Sequence, residues 1–196
     1  MFERNSKMSV NIQKAIVFAT QKHEGQKRKG TDIPYIVHPM EVMQILTDMN
    51  CEEAVIIAGI LHDTLEDTDT TPGEIREAFG ENILAIVQTE SEDKSKTWKG
   101  RKQRTVDELT EASTESKQVC FADKLSNIRS MYRDKLNVGE KIWERFNADK
   151  NNIAWYYRSI ANALKNNGFE ATFNTERGKQ LFREFQDIIN LVFSGL

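Results

Sequence analysis

The feature that most constrains the fold is the stretch Ala58-Gly-Ile-Leu-His-Asp-Thr-Leu-Glu-Asp67. Residues 54–61 are apolar on every side, which predicts a helix that is buried all round. If this helix runs as one element over about 52–66, its histidine and three carboxylates share an arc of roughly 140°. Burying these groups is costly without charge partners, and a divalent cation is the simplest partner. The alternative is that the helix reaches the surface after Leu61 and ends in solvated acidic residues.

The composition favours a helical globular protein. Charged residues make up 29% and hydrophobic residues 39% of the 196 residues, and only 3 are proline. The net charge of −3 comes from interspersed acids and bases, so we expect neither nucleic acid nor a membrane surface as a partner. Cys51 and Cys120 lie far apart and form no paired motif, which fits two core residues in a reducing cytoplasm. The N-terminal residues are polar, so we expect no signal peptide.

The remaining periodicities predict further helices and no strands. They indicate an all-α bundle that forms one domain over residues 1–196. Threonine, Pro72 and Glu74 resemble a capping box at the start of a short helix that stops at Gly80. The predicted helices cover about 9–24, 39–49, 52–66, 72–79, 81–90, 102–112, 116–132, 138–164 and 175–194.

A basic loop, residues 26–37, leads into His38 and Pro39. Proline suits the first turn of a helix, so His38 is expected at the mouth of the second helix. A lone histidine there is more often a cap, and a run such as Lys27-Arg-Lys29 is more often a solvated turn. Next to a metal centre, however, such a loop would suit a phosphorylated substrate.

Asp123 lies in an otherwise apolar part of the helix over 116–132, with Asn127 one turn later on the same face. A carboxylate there needs a strong partner. Lys124 and Arg129 are offset by about 100° and 240° around the helix, so we expect that neither pairs with it easily.

The set of these residues is more informative than any one of them. The chain has three histidines, and His38, His62, Asp63 and Asp123 would together provide two imidazoles and two carboxylates. This mixed set suits Mn²⁺, Fe²⁺ or Zn²⁺ better than Ca²⁺ or Mg²⁺.

Three segments carrying these residues resemble the HD superfamily of metal-dependent phosphohydrolases, and more closely the hydrolase domain of RelA/SpoT enzymes. They are Arg28-Lys-Gly with Pro34-Tyr-Ile-Val-His-Pro39, Gly59-Ile-Leu-His-Asp-Thr-Leu-Glu-Asp-Thr68, and Ala122-Asp-Lys-Leu-Ser-Asn-Ile-Arg129. The resemblance covers about residues 10–165, and the size is similar to that of free-standing small alarmone hydrolases. The C-terminal helix, about 175–194, lies outside it, and we expect no synthetase domain.

The resemblance implies a role for each matching residue. His38, His62, Asp63 and Asp123 would bind one divalent metal, typically Mn²⁺, with Zn²⁺ or Fe²⁺ as alternatives. Glu66 and Asp67 would be catalytic, orienting or deprotonating the attacking water. Residues that would bind the nucleotide substrate are Arg28, Lys29 and Asn127.

The implied reaction is removal of the 3′-pyrophosphate from (p)ppGpp, giving GDP or GTP and pyrophosphate, in the cytoplasm. Segment 91–117 resembles the family weakly, so a phosphatase or phosphodiesterase acting on another nucleotide, such as NADPH, is the alternative. A third hypothesis is a non-enzymatic scaffold, against which the presence of both Glu66 and Asp67 argues. The sequence is also compatible with a homo-oligomer.

Overall fold

A computed structural model describes residues 9–195, which are predominantly helical. An isolated antiparallel bridge joins Lys27 to Pro34, and the described part of the chain has no β-strand. The predicted all-α fold class is therefore confirmed. The helices are α1 Val10–Lys22, α2 Val37–Asp48, α3 Glu53–Leu61, α4 Thr64–Asp67, α5 Pro72–Phe79, α6 Glu81–Thr89, α7 Trp98–Glu111, α8 Thr114–Val138, α9 Lys150–Asn166, α10 Phe169–Thr172 and α11 Glu176–Val192, with a 3₁₀ helix at Gly139–Arg145.

Helix α3 lies at the centre of the core, as its sequence predicts. Its residues 55–61 are all buried. It packs against α1, α2, α6 and α8, which together surround these buried residues. A second part of the core forms around the buried ring of Phe121 on α8, which contacts Phe173, Phe182 and Phe185. These contacts join α11 to α8, the helix that carries Asp123.

The predicted continuous helix over about 52–66 is wrong, because the chain breaks into α3 and α4. At this break, two side chains form hydrogen bonds with backbone carbonyl oxygens of α3. The hydroxyl of Thr64 donates to the carbonyl oxygen of Leu61 at 2.7 Å, and Nδ1 of His62 lies 2.8 Å from the carbonyl oxygen of Gly59. Such local bonds compete with the helical hydrogen-bond ladder. The break still leaves the two ligand candidates at the end of the core helix.

Two other helix boundaries differ from the prediction. Helix α7 begins at Trp98 rather than near residue 102, because the Thr97 side chain accepts the backbone N–H of Gly100 and caps it. The predicted helix over 138–164 is divided into the 3₁₀ helix and α9. The Asp149 side chain caps α9 in the same way, which favours a new helix start at that point.

The remaining predicted helices are present, although some of their ends differ: α2 begins at Val37 rather than at residue 39, and the short α10 was not predicted. The capping box at Thr71 and Glu74 is present, and α5 ends at Gly80. Helix α8 is longer than predicted and includes the whole segment around Asp123. Among the described residues, no helix combines the length and the apolar character needed to span a membrane.

Gly59 lets α2 and α3 approach closely. A methyl group added there would overlap Cδ1 of Leu46 and lie 3.1 Å from Cγ1 of Val42, and both neighbours are fully buried. We expect Gly59→Ala to lower the free energy of unfolding by about 1–3 kcal/mol, as overpacked cores do. Urea unfolding of the purified variant measures this change.

Gly73→Ala is the matched control, because its added methyl group meets only Oγ1 of Thr71, at 3.8 Å. Better helix propensity should leave this variant as stable as the wild type or up to about 1 kcal/mol more stable. Equal unfolding midpoints for both variants would contradict close packing at Gly59.

Candidate active site

Three helices bring the four predicted ligands together. His38 is the second residue of α2, His62 and Asp63 follow α3, and Asp123 lies in the middle of α8. Because α2, α3 and α8 pack against one another, these side chains meet at one place. Both imidazoles and the Asp123 carboxylate are buried, and the Asp63 side chain is 20% exposed.

The candidate ligand atoms form a tight cluster. Nε2 of His38 lies 3.2 Å from Nε2 of His62 and 3.1 Å from Oδ1 of Asp123. Oδ2 of Asp63 lies 2.9 Å from Nε2 of His62 and 3.5 Å from Nε2 of His38. Ligand atoms at ~2.1 Å from one ion are spaced roughly 3.0–3.4 Å apart, so these separations suit a single cation.

The outer hydrogen bonds of both imidazoles direct Nε2 inward. Nδ1 of His62 faces the carbonyl oxygen of Gly59, an acceptor only, so this nitrogen carries the proton. Nδ1 of His38 lies 2.9 Å from Oγ of Ser126, whose hydroxyl donates to Glu41 at 2.7 Å. Both imidazoles therefore direct Nε2 into the cluster, as metal-binding histidines do. Burial opposes the charge on His62, but Asp63 and Asp123 raise its pKa well above the ordinary value, so metal binding would displace a proton from Nε2.

Electrostatics in the cluster favour charged carboxylates. Burial opposes the charge on Asp63, but His62 and His38 hold the pKa of its carboxyl well below the ordinary value. Burial also opposes the charge on Asp123, but Lys124 and the two imidazoles hold its pKa well below the ordinary value. Both side chains are therefore ready to bind a cation.

The donor set fits a divalent metal. The imidazole nitrogens lie 2.9–3.7 Å from each other and from the nearest oxygens of Asp63 and Asp123. Ligand atoms of His38, His62 and Asp123 all lie within 4.8 Å of one another, and Asp63 adjoins this group through its contacts with both imidazoles. Lone pairs at such separations repel unless a proton or a cation lies between them. Nitrogen and oxygen ligands with no thiolate are typical of Mn²⁺, Fe²⁺ and Zn²⁺ sites.

The two predicted catalytic carboxylates lie on α4, one helical turn beyond the ligands. The side chain of Glu66 is 19% exposed, and that of Asp67 is 41% exposed. Nζ of Lys94 donates to the carbonyl oxygen of Glu66 at 2.8 Å and lies 3.4 Å from Oδ1 of Asp67. Burial, then the charges of Glu92 and Asp67, raise the pKa of the Glu66 carboxyl, so it is suited to accept a proton.

The three predicted substrate contacts line one cavity of about 200 Å³. Nη2 of Arg28 donates to Oδ1 of Asn127 at 2.7 Å, and the amide nitrogen of Asn127 donates to Oδ1 of Asp123. Asn127 thus connects the cluster of candidate ligands to the basic loop. Lys29 is exposed at the rim and lines a second, adjoining cavity of about 210 Å³ as well.

The adjoining cavity, called here the aromatic cavity, has four aromatic side chains in its wall and includes residues of α7. Lys102 lines it, and its Nζ lies 5.0 Å from the centre of the Tyr156 ring. In the largely exposed segment before α7, Glu92 is an exception: its side chain is 12% exposed and pairs with Arg101 at 3.1 Å and Lys102 at 2.5 Å.

Lys124 corrects an expectation from the sequence. Its Nζ contacts Oδ2 of Asp123 directly, so the prediction that it pairs with difficulty is wrong. The long side chain of Lys124 bends back toward Asp123. The angular offset of the two residues around the helix does not take this flexibility into account. Arg129, in contrast, bonds Glu184 at 2.7 and 2.8 Å and is not a partner of Asp123.

Several residues of the site were not found from the sequence. Ser126 lies three residues after Asp123 and Glu41 three after His38, so helical spacing could have indicated both. Tyr35, which donates to Asp63, comes from the loop and carries no such periodic signal.

Comparisons with known proteins agree with this geometry. The family model of the HD domain matches residues 15–153. A guanosine-3′,5′-bis(diphosphate) 3′-pyrophosphohydrolase of Aquifex aeolicus is 39% identical over 124 residues, which are 62% of this chain but only 18% of that protein. The zebrafish (Danio rerio) protein of the same name, MESH1, is 37% identical over 132 residues, 66% of this chain and 73% of that protein.

A solved structure, described as a metazoan ortholog of SpoT that hydrolyses ppGpp, aligns with a TM-score of 0.71 and 25% identity. The alignment covers 91% of this chain and 97% of that one. The fold, the ligand cluster and the matched family model therefore agree. The chain belongs to the HD domain family, among relatives named as guanosine-3′,5′-bis(diphosphate) 3′-pyrophosphohydrolases.

Proposed function

We propose that this chain is a Mn²⁺-dependent hydrolase that removes the 3′-pyrophosphate of ppGpp or pppGpp. The observation that supports this most strongly is the cluster of two imidazoles and two carboxylates with Glu66 and Asp67 one turn away. The relatives named above for this activity provide the substrate class. We further propose that one domain carries the activity, in the cytoplasm, which suits the free thiols of Cys51 and Cys120.

His38, His62, Asp63 and Asp123 would hold the cation. When bound, a divalent ion lowers the pKa of water and polarises a phosphoryl group. The carboxylates of Asp63 and Asp123 would supply the negative charge that balances such an ion.

Glu66 and Asp67, the acidic pair on α4, would orient the attacking water and accept its proton. Water attacks the phosphorus next to the 3′-oxygen, a new P–O bond forms, and the bond to the 3′-oxygen breaks. Glu66, whose carboxyl has a raised pKa, accepts the proton of the attacking water, and a proton is returned to the departing 3′-oxygen. Asp67 orients the water from the more exposed side.

The cavity beside the cluster would hold the nucleotide. Arg28 and Lys29 offer positive charge to the phosphates, and the amide of Asn127 fixes the position of Arg28. Since Asn127 also bonds Asp123, a nucleotide in this cavity lies next to the proposed metal ligands.

A phosphatase acting on another nucleotide, such as NADPH, is the second candidate. It is favoured by the adjoining aromatic cavity, which could hold a second ring system and to which α7 contributes Trp98 and Lys102. The two candidates predict different products from the same enzyme.

A substrate panel separates them. The purified protein with Mn²⁺ is incubated with ppGpp, pppGpp, NADPH, a deoxynucleoside triphosphate and a cyclic nucleotide, and the products are identified by phosphorus NMR. We expect GDP and pyrophosphate from ppGpp as the fastest reaction. Inorganic phosphate from NADPH with ppGpp left intact would instead support the second candidate. Asp63→Ala, prepared in parallel, reveals any contaminating phosphatase.

A further inference from the structure

Tyr35 connects the metal cluster to the nucleotide cavity. Its hydroxyl donates to Oδ2 of Asp63 at 2.5 Å. The same oxygen atom lies 2.9 Å from Nε2 of His62 and 3.5 Å from Nε2 of His38. The other face of Tyr35 lines the cavity that Arg28 also lines. The Tyr35 hydroxyl therefore contacts a candidate ligand atom, Oδ2 of Asp63, from outside the cluster.

The loop holds the Tyr35 ring in place. The backbone N–H of Tyr35 donates to the carbonyl oxygen of Gln26 at 2.9 Å, which closes the short bridge of the basic loop. The buried ring of His23 lies 4.7 Å from the Tyr35 ring, centre to centre, and the Arg28 guanidinium lies 5.6 Å from it. These contacts involve the ring rather than the hydroxyl, so they would remain in a phenylalanine variant.

The loop is in turn attached to α4. Nδ1 of His23 bonds Oε1 of Gln26 at 2.8 Å, and the amide nitrogen of Gln26 donates to the carbonyl oxygen of Asp67 at 2.7 Å. Tyr35 is therefore fixed relative to the segment that carries both Asp63 and the catalytic pair. Because the Tyr35 ring is already held in place, its hydroxyl loses little conformational entropy when it orients a carboxylate.

The location of Asp63 makes a hydrogen-bond donor such as the Tyr35 hydroxyl important for holding its carboxylate in place. It lies between α3 and α4, outside regular helix, and its side chain is 20% exposed. The Asp123 carboxylate, in contrast, is buried and is held by both Lys124 and Asn127. Without the phenol, the Asp63 carboxylate could rotate toward water and leave the cluster.

We propose that Tyr35 is a positioning residue for the metal centre: its hydroxyl holds Oδ2 of Asp63 toward the two imidazoles and thereby increases the affinity for a divalent cation. This inference rests on the metal site of the proposed function, but its test needs no substrate. Outer partners of metal ligands typically contribute about 10–100-fold in metal affinity.

The test is the Kd for Mn²⁺ alone, measured by isothermal titration calorimetry on protein stripped with EDTA. We expect Tyr35→Phe to raise this Kd by about 10–100-fold. Tyr132→Phe is the matched control, since it removes the same atom from α8 outside both cavities, and its Kd should equal that of the wild type. A Kd for Tyr35→Phe within twofold of the wild-type value, or equal weakening in Tyr132→Phe, would overturn the proposal.

A kinetic measurement separates positioning from direct action on the substrate. If Tyr35 acts through Asp63, saturating Mn²⁺ should restore kcat of Tyr35→Phe to within about threefold of the wild type. A kcat that stays tenfold lower at saturating Mn²⁺ would contradict a positioning role. Failure of the proposed function is distinguishable: a weakened Kd in a protein that hydrolyses no ppGpp would leave the positioning role intact and remove only the activity.

Discussion

Asp63→Ala is expected to abolish both metal binding and ppGpp hydrolysis. The substitution removes the oxygen that lies 2.9 Å from Nε2 of His62, and with it one of the two negative charges that face the imidazoles. A lost ligand should cost more affinity than a lost outer partner, so we expect well over 100-fold weaker Mn²⁺ binding. Turnover should fall by about 10³-fold or more, because the nucleophile is no longer activated.

Metal content and rate are measured on the same preparation. Elemental analysis should give close to one ion per chain for the wild type and almost none for Asp63→Ala after dialysis. Asp69→Ala is the control, because this aspartate is nearby in sequence but 88% exposed, and its ion pair among residues 9–195 is with Lys22 at 3.0 Å. Full hydrolysis by Asp63→Ala in the presence of EDTA would exclude a metal-dependent reaction.

Glu66→Gln is expected to retain the metal but lose most of the activity. Glutamine has the same shape and cannot accept a proton, so only the base is removed. General-base catalysis contributes about 10²–10⁴-fold, and kcat should fall by that factor with the Kd for Mn²⁺ unchanged. Glu77→Gln, on the exposed side of α5, should have wild-type kinetics.

The pH profile gives an independent check on the same residue. A base works when it is deprotonated, so wild-type kcat should fall as the pH drops through the pKa of Glu66, which lies above the ordinary glutamate value. This acid limb should disappear in Glu66→Gln. If Glu66→Gln keeps the wild-type rate and the same acid limb, Glu66 is not the base, and Asp67→Asn becomes the variant to measure.

Much of the site could be predicted because its ligands interrupt apolar stretches of helix. His62 and Asp63 follow α3, the most hydrophobic of the described helices, and Asp123 lies in a buried stretch of α8. Buried charges need partners, so these positions stand out in the sequence before any contact is known. Which segments meet was inferred from the combined set and from the resemblance, since helix periodicity alone does not say how helices pack.

The parts that could not be predicted depend on contacts between side chains. The break between α3 and α4 follows from hydrogen bonds that Thr64 and His62 make to the backbone. The periodicity of apolar residues does not indicate these bonds. The ion pair of Lys124 depends on how a long side chain folds back along its helix. Tyr35 lies in a loop 28 residues before Asp63 in the sequence, and local sequence patterns do not reveal contacts over such a separation.

One titration tests the central claim, that four side chains hold one ion that hydrolysis requires. Protein stripped with EDTA is titrated with Mn²⁺, and bound ion and pyrophosphate released from ppGpp are measured in the same samples. We expect the rate to rise in proportion to bound Mn²⁺ and to reach its maximum at one ion per chain. A full rate in the stripped protein, or one bound ion with no pyrophosphate released, would contradict it.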